Sequence, residues 1–205
     1  MAAGHGPVGT GGIGVTELAK VLLVVLLAVI GGYVSLDMAA SMTGAGAAKS
    51  GVWRSWPQAD AREGGLYARY HHLRQGELPF SRFLGRRFEA ATDDDGNALK
   101  GGCRYVVEGT LPPSRFWTLA LYPLEDAGKE NVARASWVAA EDALPDRKGR
   151  LRIVIDARMR PGTWLRPPVE EDERFMIVLR LYGLNPLVRD RTDMPLPLKI
   201  RREAC

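Results

Sequence analysis

Sixteen residues from Val21 to Leu36, VLLVVLLAVIGGYVSL, pass without a charge between Lys20 and Asp37. A run this apolar has to be buried in lipid or removed by a signal peptidase. Sixteen helical residues rise only ~24 Å, short of the roughly 30 Å hydrocarbon core. Extending the helix from Leu18 to Ala40 gives ~34 Å, enough to span once Lys20 and Asp37 snorkel to the interfaces. Tyr33 then falls near the distal interface, where an aromatic ring is at home. The favoured reading is an uncleaved transmembrane helix over 15–40. A cleaved secretory signal competes with it, because Ala45-Gly46-Ala47 has the A-x-A pattern, although far from the apolar run. A buried helix of a soluble protein is the third reading. Flanking charge hardly orients the helix: the α-amino group and Lys20 stand against Glu17 on one side, and Asp37, Lys49 and Arg54 lie on the other. A short tail before the helix and a large domain after it favour the tail inside and the domain outside.

Residues 1–14 are Gly-rich and read as a disordered tail, 41–50 as a small-residue linker, and 51–205 as one domain with its own core. Two bases and two acids precede residue 50, so the net charge of +4 belongs to the domain. So small an excess excludes a nucleic-acid footprint, which needs a clustered patch or a recognised fold. The basic groups at Arg147–Arg152 and Lys199–Arg202 read as solvated loops and a tail; on a domain facing inward they would meet anionic lipid. Cys103 and Cys205 are the two cysteines, and neither belongs to a C-x-x-C pair, so zinc and dithiol chemistry find no support. In an oxidising compartment they would pair, pinning the Pro-rich tail to the domain; two unrelated thiols is the equal alternative.

Along the domain, Trp53 and Trp56 interrupt the small-residue linker and are expected to dock on the fold. Leu66 to Gln75 reads as a short helix, with Leu66, Tyr70 and Leu73 at spacings of four and three between flanking glycines. The rest reads as β: Phe88–Thr92, Cys103–Glu108, Arg115–Tyr122, Ala135–Ala139, Leu151–Ala157 and Phe175–Tyr182, separated by turn clusters. This pattern predicts a mainly β domain, an antiparallel sandwich or jelly roll with a short leading helix, behind one N-terminal transmembrane helix.

No complete catalytic or cofactor motif is present. Asp93-Asp94-Asp95-Gly96-Asn97 fails as a calcium loop, because the first ligand position is Ala91 and the closing glutamate is replaced by Gly102; it reads as a hairpin turn. Adjacent His71 and His72 point about 100° apart on a helix and cannot chelate one metal, so neither a metal nor a cofactor is expected. Tyr105, Trp117, Tyr122, Trp137, Trp164 and Tyr182 sit in or near the strands, with Arg115, Arg134 and Arg180 among them. Aromatic platforms beside fixed donors suit a sugar or similar ligand; a sandwich core with a buried ion pair is the plainer account. Arg180 shares a strand face with Met176, Val178 and Tyr182 and calls for a carboxylate.

Several segments together resemble the bacterial domain of unknown function DUF1214. They are Gly51-Val52-Trp53 ahead of Pro57, Tyr67-Ala68-Arg69, Glu89, Asp95-Gly96, Leu99 with Gly101, and Tyr105. Leu111-Pro112 then leads into Phe116-Trp117-Thr118-Leu119 and Tyr122. Asn131, Arg134, Trp164-Leu165 with Pro167, and Leu179-Arg180-Leu181-Tyr182 complete the string, which covers roughly 51–200. Thr163 stands where the family usually has Asn, and Arg166 delays the motif's proline. The resemblance implies a jelly-roll β-sandwich, often with one membrane segment, and a partner domain of the DUF1254 type. It implies no known reaction.

These readings predict a single-pass protein of the bacterial inner membrane with its domain in the periplasm, serving as a binding or assembly module beside a partner envelope protein. An enzyme acting on an envelope carbohydrate is one alternative, with Glu89, Asp93, Glu108 and Asp156 as the available acids; a purely structural envelope protein is the other. Side-chain chemistry and the family string together single out Arg69, Tyr105, Trp117, Asn131, Arg134, Trp164 and Arg180 as ligand- or partner-binding positions.

Overall fold

The computed structural model describes residues 14–41, 47–56, 84–124, 136–185 and 195–205, in two units divided after Thr43. The first unit contains helix α1 (Val15–Ser41), whose 27 residues rise ~40 Å. Val15–Asp37 is long and apolar enough to cross a membrane, with none of it buried inside the fold. Its leucines and valines are exposed on every side, so it lacks the single apolar stripe of a helix packed on a globular core. The Lys20 ammonium lies 2.8 Å from the Glu17 carboxylate one turn earlier, so the charge that precedes the apolar run is neutralised within the helix itself.

The second unit is built from ten strands: β1 (Ala48–Ser50), β2 (Trp53–Ser55), β3 (Gly85–Ala90), β4 (Arg104–Gly109), β5 (Phe116–Pro123), β6 (Ser136–Ala139), β7 (Leu151–Ile155), β8 (Thr163–Leu165), β9 (Phe175–Tyr182) and β10 (Leu198–Ala204). They form a six-stranded sheet of order β1-β2-β3-β9-β5-β6 and a four-stranded sheet of order β10-β4-β7-β8. One core lies between the sheets: Phe88, Leu119, Ile177, Leu179 and Leu181 come from the larger, and Tyr105, Val107, Ile153, Ile155 and Ile200 from the smaller. Tyr105 meets Phe175 edge-on across this core, with ring centroids 5.9 Å apart.

The sheet margins are tied by polar contacts. The Trp53 indole donates 2.8 Å to the Leu198 carbonyl, and the Leu196 amide donates 2.8 Å to the Ser50 hydroxyl. These bonds join the β1–β2 end of the large sheet to β10. Along β10 the Ile200 amide donates to the Asp94 carboxylate, while the Asp94 amide donates to the Ile200 carbonyl. The 93–97 turn therefore occupies backbone groups that a bare edge strand would present to another chain. Gly96 adopts φ 84° in that turn, where a side chain would be strained.

The mainly β architecture expected from the sequence stands, and Phe175–Tyr182 has the expected bounds. The sheets are not purely antiparallel, because β7 and β8 pair in parallel. A parallel neighbour normally needs a long crossover; here β8 has three residues, so the return covers only about two strand residues, ~7 Å. Lys199–Arg202, expected to be a solvated tail, lies within β10, where Leu198 and Ile200 face inward and Lys199 and Arg201 outward. β1 lies within the segment expected to be a linker. The strand over 115–122 is buried on both faces only at Leu119–Leu121. Cys103 and Cys205 are joined by a disulfide. The expected leading helix, His71 and His72 lie outside the described residues.

Candidate functional site

Alternation along each strand gives the large sheet an outer face distinct from its core face. Cross-strand register places Trp137, Ala120, Val178, Glu89 and Arg54 along one rung of that face. The next rung holds Ala139, Thr118, Arg180 and Arg87. Phe116 pairs with Tyr182, and Tyr122 with Met176. Val178, Met176, Ala120 and Ala139 are buried yet stand apart from the core cluster, so the middle of this face is a second apolar layer.

A polar group is set into that layer. The Arg87 guanidinium lies 3.0 Å from the Glu89 carboxylate, both side chains being less than 15% exposed. The Arg180 guanidinium donates 3.3 Å to the Tyr122 hydroxyl and sits 5.8 Å from the centroid of the same ring. Burial pulls the Arg87 guanidinium below its ordinary value; the Glu89 carboxylate opposes this, and Arg180 directly across the ladder adds to it. Planar donors, a carboxylate and a phenol are thus held together on rigid strands.

The rim of the face is apolar and open. Trp137 is 60% exposed, Leu84 61% and Phe116 36%. The Gly183 amide donates to the Leu84 carbonyl, and the Phe116 and Tyr182 rings lie 5.8 Å apart, which brings Leu84 and Phe116 to one end of the sheet. Trp137 lies on β6, whose partner among the described residues is β5 alone.

The residues singled out from the sequence are divided by the fold. Tyr105 is fully buried in the core, and its hydroxyl accepts a 2.9 Å bond from the Lys100 amide. Trp117 packs against the core beside Leu181. Trp164 lies on β8 of the smaller sheet, its indole donating 2.9 Å to the Asp156 carbonyl. Arg180 alone of the four reaches the outer face of the larger sheet. Arg69, Asn131 and Arg134 lie outside the described residues. Sequence reasoning did not select Arg87 because the strand was expected to begin at Phe88. The alternation of Arg87 and Glu89 around Phe88 is the signal that would have found it.

The four acids weighed for catalysis each meet an arginine: Glu89 meets Arg87, Asp93 lies 3.4 Å from Arg202, Glu108 3.2 Å from Arg201, and Asp156 2.6 Å from Arg160. Burial would raise the Asp156 carboxyl, but the Arg158 amide and the Arg160 guanidinium outweigh it and hold the group below its usual range, the opposite of what a general acid needs. A separate open cleft of ≈ 510 Å³ lies beside the disulfide, with Asn97, Lys100, Glu171, Asp172 and Arg202 on its walls. Among the described residues, no group of three or more His, Cys, Asp or Glu is placed to hold a metal ion.

Residues 85–186 match the family model DUF1214, protein of unknown function. No curated protein matches the chain. The fold is similar to that of the VPA0106 protein from Vibrio parahaemolyticus, with a TM-score of 0.53 and 21% identity over 70% of this chain and 36% of that one. An uncharacterized protein from Burkholderia cenocepacia gives a TM-score of 0.45 and 20% identity over 82% of this chain and 39% of that one. The chain thus spans little more than a third of the solved proteins it matches.

Proposed function

We propose, from the premise that residues 85–186 form a DUF1214 domain, that this protein is a membrane-anchored binding or assembly module of the bacterial cell envelope. In this reading α1 anchors the chain in the inner membrane and the domain, a jelly-roll type of sandwich, stands in the periplasm. The Cys103–Cys205 disulfide suits such an oxidising compartment. The partner is a second envelope protein, of the DUF1254 type that the family resemblance implies.

One observation carries the reading. The outer face of the large sheet combines an exposed apolar rim at Trp137, Phe116 and Leu84 with the polar group of Arg87, Glu89, Arg180 and Tyr122. Exposed aromatics around fixed hydrogen-bonding anchors are the anatomy of a protein–protein contact. An edge strand such as β6 adds backbone groups on which a partner strand can pair. The test is a photo-crosslinking side chain at position 137 or 116 of the full-length chain in its native membranes. A discrete adduct with one envelope protein, absent when the probe stands at Met159 (80% exposed), is the expected result. Identical smears at all three positions would overturn the proposal.

The cleft beside the disulfide supports the second reading, an enzyme or a binder of carbohydrate or another small ligand. Its walls carry hydrogen-bonding groups of both charge signs. Binding of envelope oligosaccharides that is lost on Lys100→Ala would favour that reading over the assembly module.

A further inference from the structure

The outer face of the smaller sheet brings together two basic segments that lie far apart in the chain. Register places Lys199 and Arg152 on either side of Glu108, and Arg201 beside Val106, which in turn pairs with Val154 and so leads to Trp164. Arg104 belongs to the same group through Glu203, 3.4 Å away, and Glu203 also lies 3.7 Å from Arg152. Arg201 reaches Glu108 at 3.2 Å. Four bases thus share two acids, which leaves the face positive. Lys199, Arg201 and Arg152 are exposed. Val106 is fully buried although it belongs to the outer face and not to the core cluster. Aliphatic stems of long basic side chains cover apolar surface in this way while their heads reach outward.

We propose that this face docks on an anionic phospholipid surface, namely the leaflet on the domain's own side of the membrane that α1 spans. The proposal rests on the anchored reading of α1 given above. Charge complementarity selects the occupant, because a leaflet bearing acidic headgroups attracts clustered Lys and Arg within a Debye length. Trp164, half-buried at the far side of the face, has the amphipathic ring favoured at the headgroup level. This face and the rim carrying Trp137 belong to different sheets, so lipid docking leaves the proposed partner surface available.

Lysine footprinting of the full-length chain tests the proposal. The chain is mixed with neutral phosphatidylcholine vesicles, or with vesicles containing phosphatidylglycerol as well, and acylated with an uncharged ester. The expected result is that Lys199 is modified roughly tenfold more slowly on the anionic vesicles, while Lys100 in the cleft and Lys49 on β1 keep their rates. High salt, or the double variant Arg152→Glu with Arg201→Glu, restores the Lys199 rate. Equal Lys199 rates on both vesicles would overturn the docking, as would a slowing that neither salt nor charge reversal relieves. Flotation of the same samples separates the two readings. A chain that floats with neutral vesicles is anchored whatever its lysines show. A chain that floats only with anionic vesicles docks without an anchor, and one that floats with neither loses both.

Discussion

Asp93 shows how one side chain can order a turn and hold a strand. Its carboxylate has no exposed surface. It accepts bonds from the amides of Asp95 and Asn97 and from the Asn97 side chain, and faces the Arg202 guanidinium at 3.4 Å. Asp93→Ala leaves those donors and a partly buried arginine without their acceptor, and about 3 kcal/mol of stability is expected to go with it, read as a shift of the urea midpoint at unchanged slope. Asp156 contributes to the acid behaviour of the domain. Its folded-state value lies below the ordinary 3.8, so the stability it confers is fully present above that value and is lost as pH falls through the folded value. Asp156→Asn is expected to be less stable at neutral pH and to lose less on acidification than the native chain, a difference that unfolding curves across the acid range would show. The exposed Trp137 and fully buried Tyr105 carry the complementary lesson. Both were visible as aromatics in strand-like sequence, but only the sheet face decided which ring meets solvent.

At the scale of elements, β10 is the strand that local sequence conceals most. Its pattern of Leu198, Lys199, Ile200 and Arg201 alternates as a half-buried strand should, yet three bases in seven residues resemble a solvated tail. What makes it a strand is its partner: the β4 ladder from Leu198↔Gly109 to Ala204↔Arg104. The Gly109 backbone runs so close to Pro197 that a Cβ there would strike the Pro197 carbonyl, and a residue without one is required. The disulfide closes a sequence separation of 102 residues at the end of this ladder. Loop-closure entropy for a ring of this size is worth up to ~4.7 kcal/mol. Reduction, or Cys205→Ser, is therefore expected to lower the melting temperature and to speed amide exchange along β10 more than along β9 in the middle of the larger sheet. β8 escaped notice because three residues carry too short an alternation to read; its place follows from the Asp156 amide bonded to the Leu165 carbonyl.

For the whole molecule, the division between α1 and the β domain governs behaviour in solution. The full-length chain is expected to stay in the membrane pellet through alkaline carbonate extraction, and a chain lacking residues 15–37 to be released by it. Recovery of the full-length chain in the supernatant would sink the anchored reading. The sequence by itself determined the apolar span, the mainly β character, the turn at 93–97 and a pair of cysteines free to meet. All of these depend on neighbours close in the chain, on composition or on period-two alternation. Only the tertiary structure decided which residues share a face. It joined Arg87 and Glu89 to Arg180 and Tyr122 on one sheet, and collected Arg104, Arg152, Lys199 and Arg201 on the other. The reason is register: cross-strand neighbours lie about 5 Å apart in space however far apart they lie in the chain. A one-residue slip would send each of them to the opposite face.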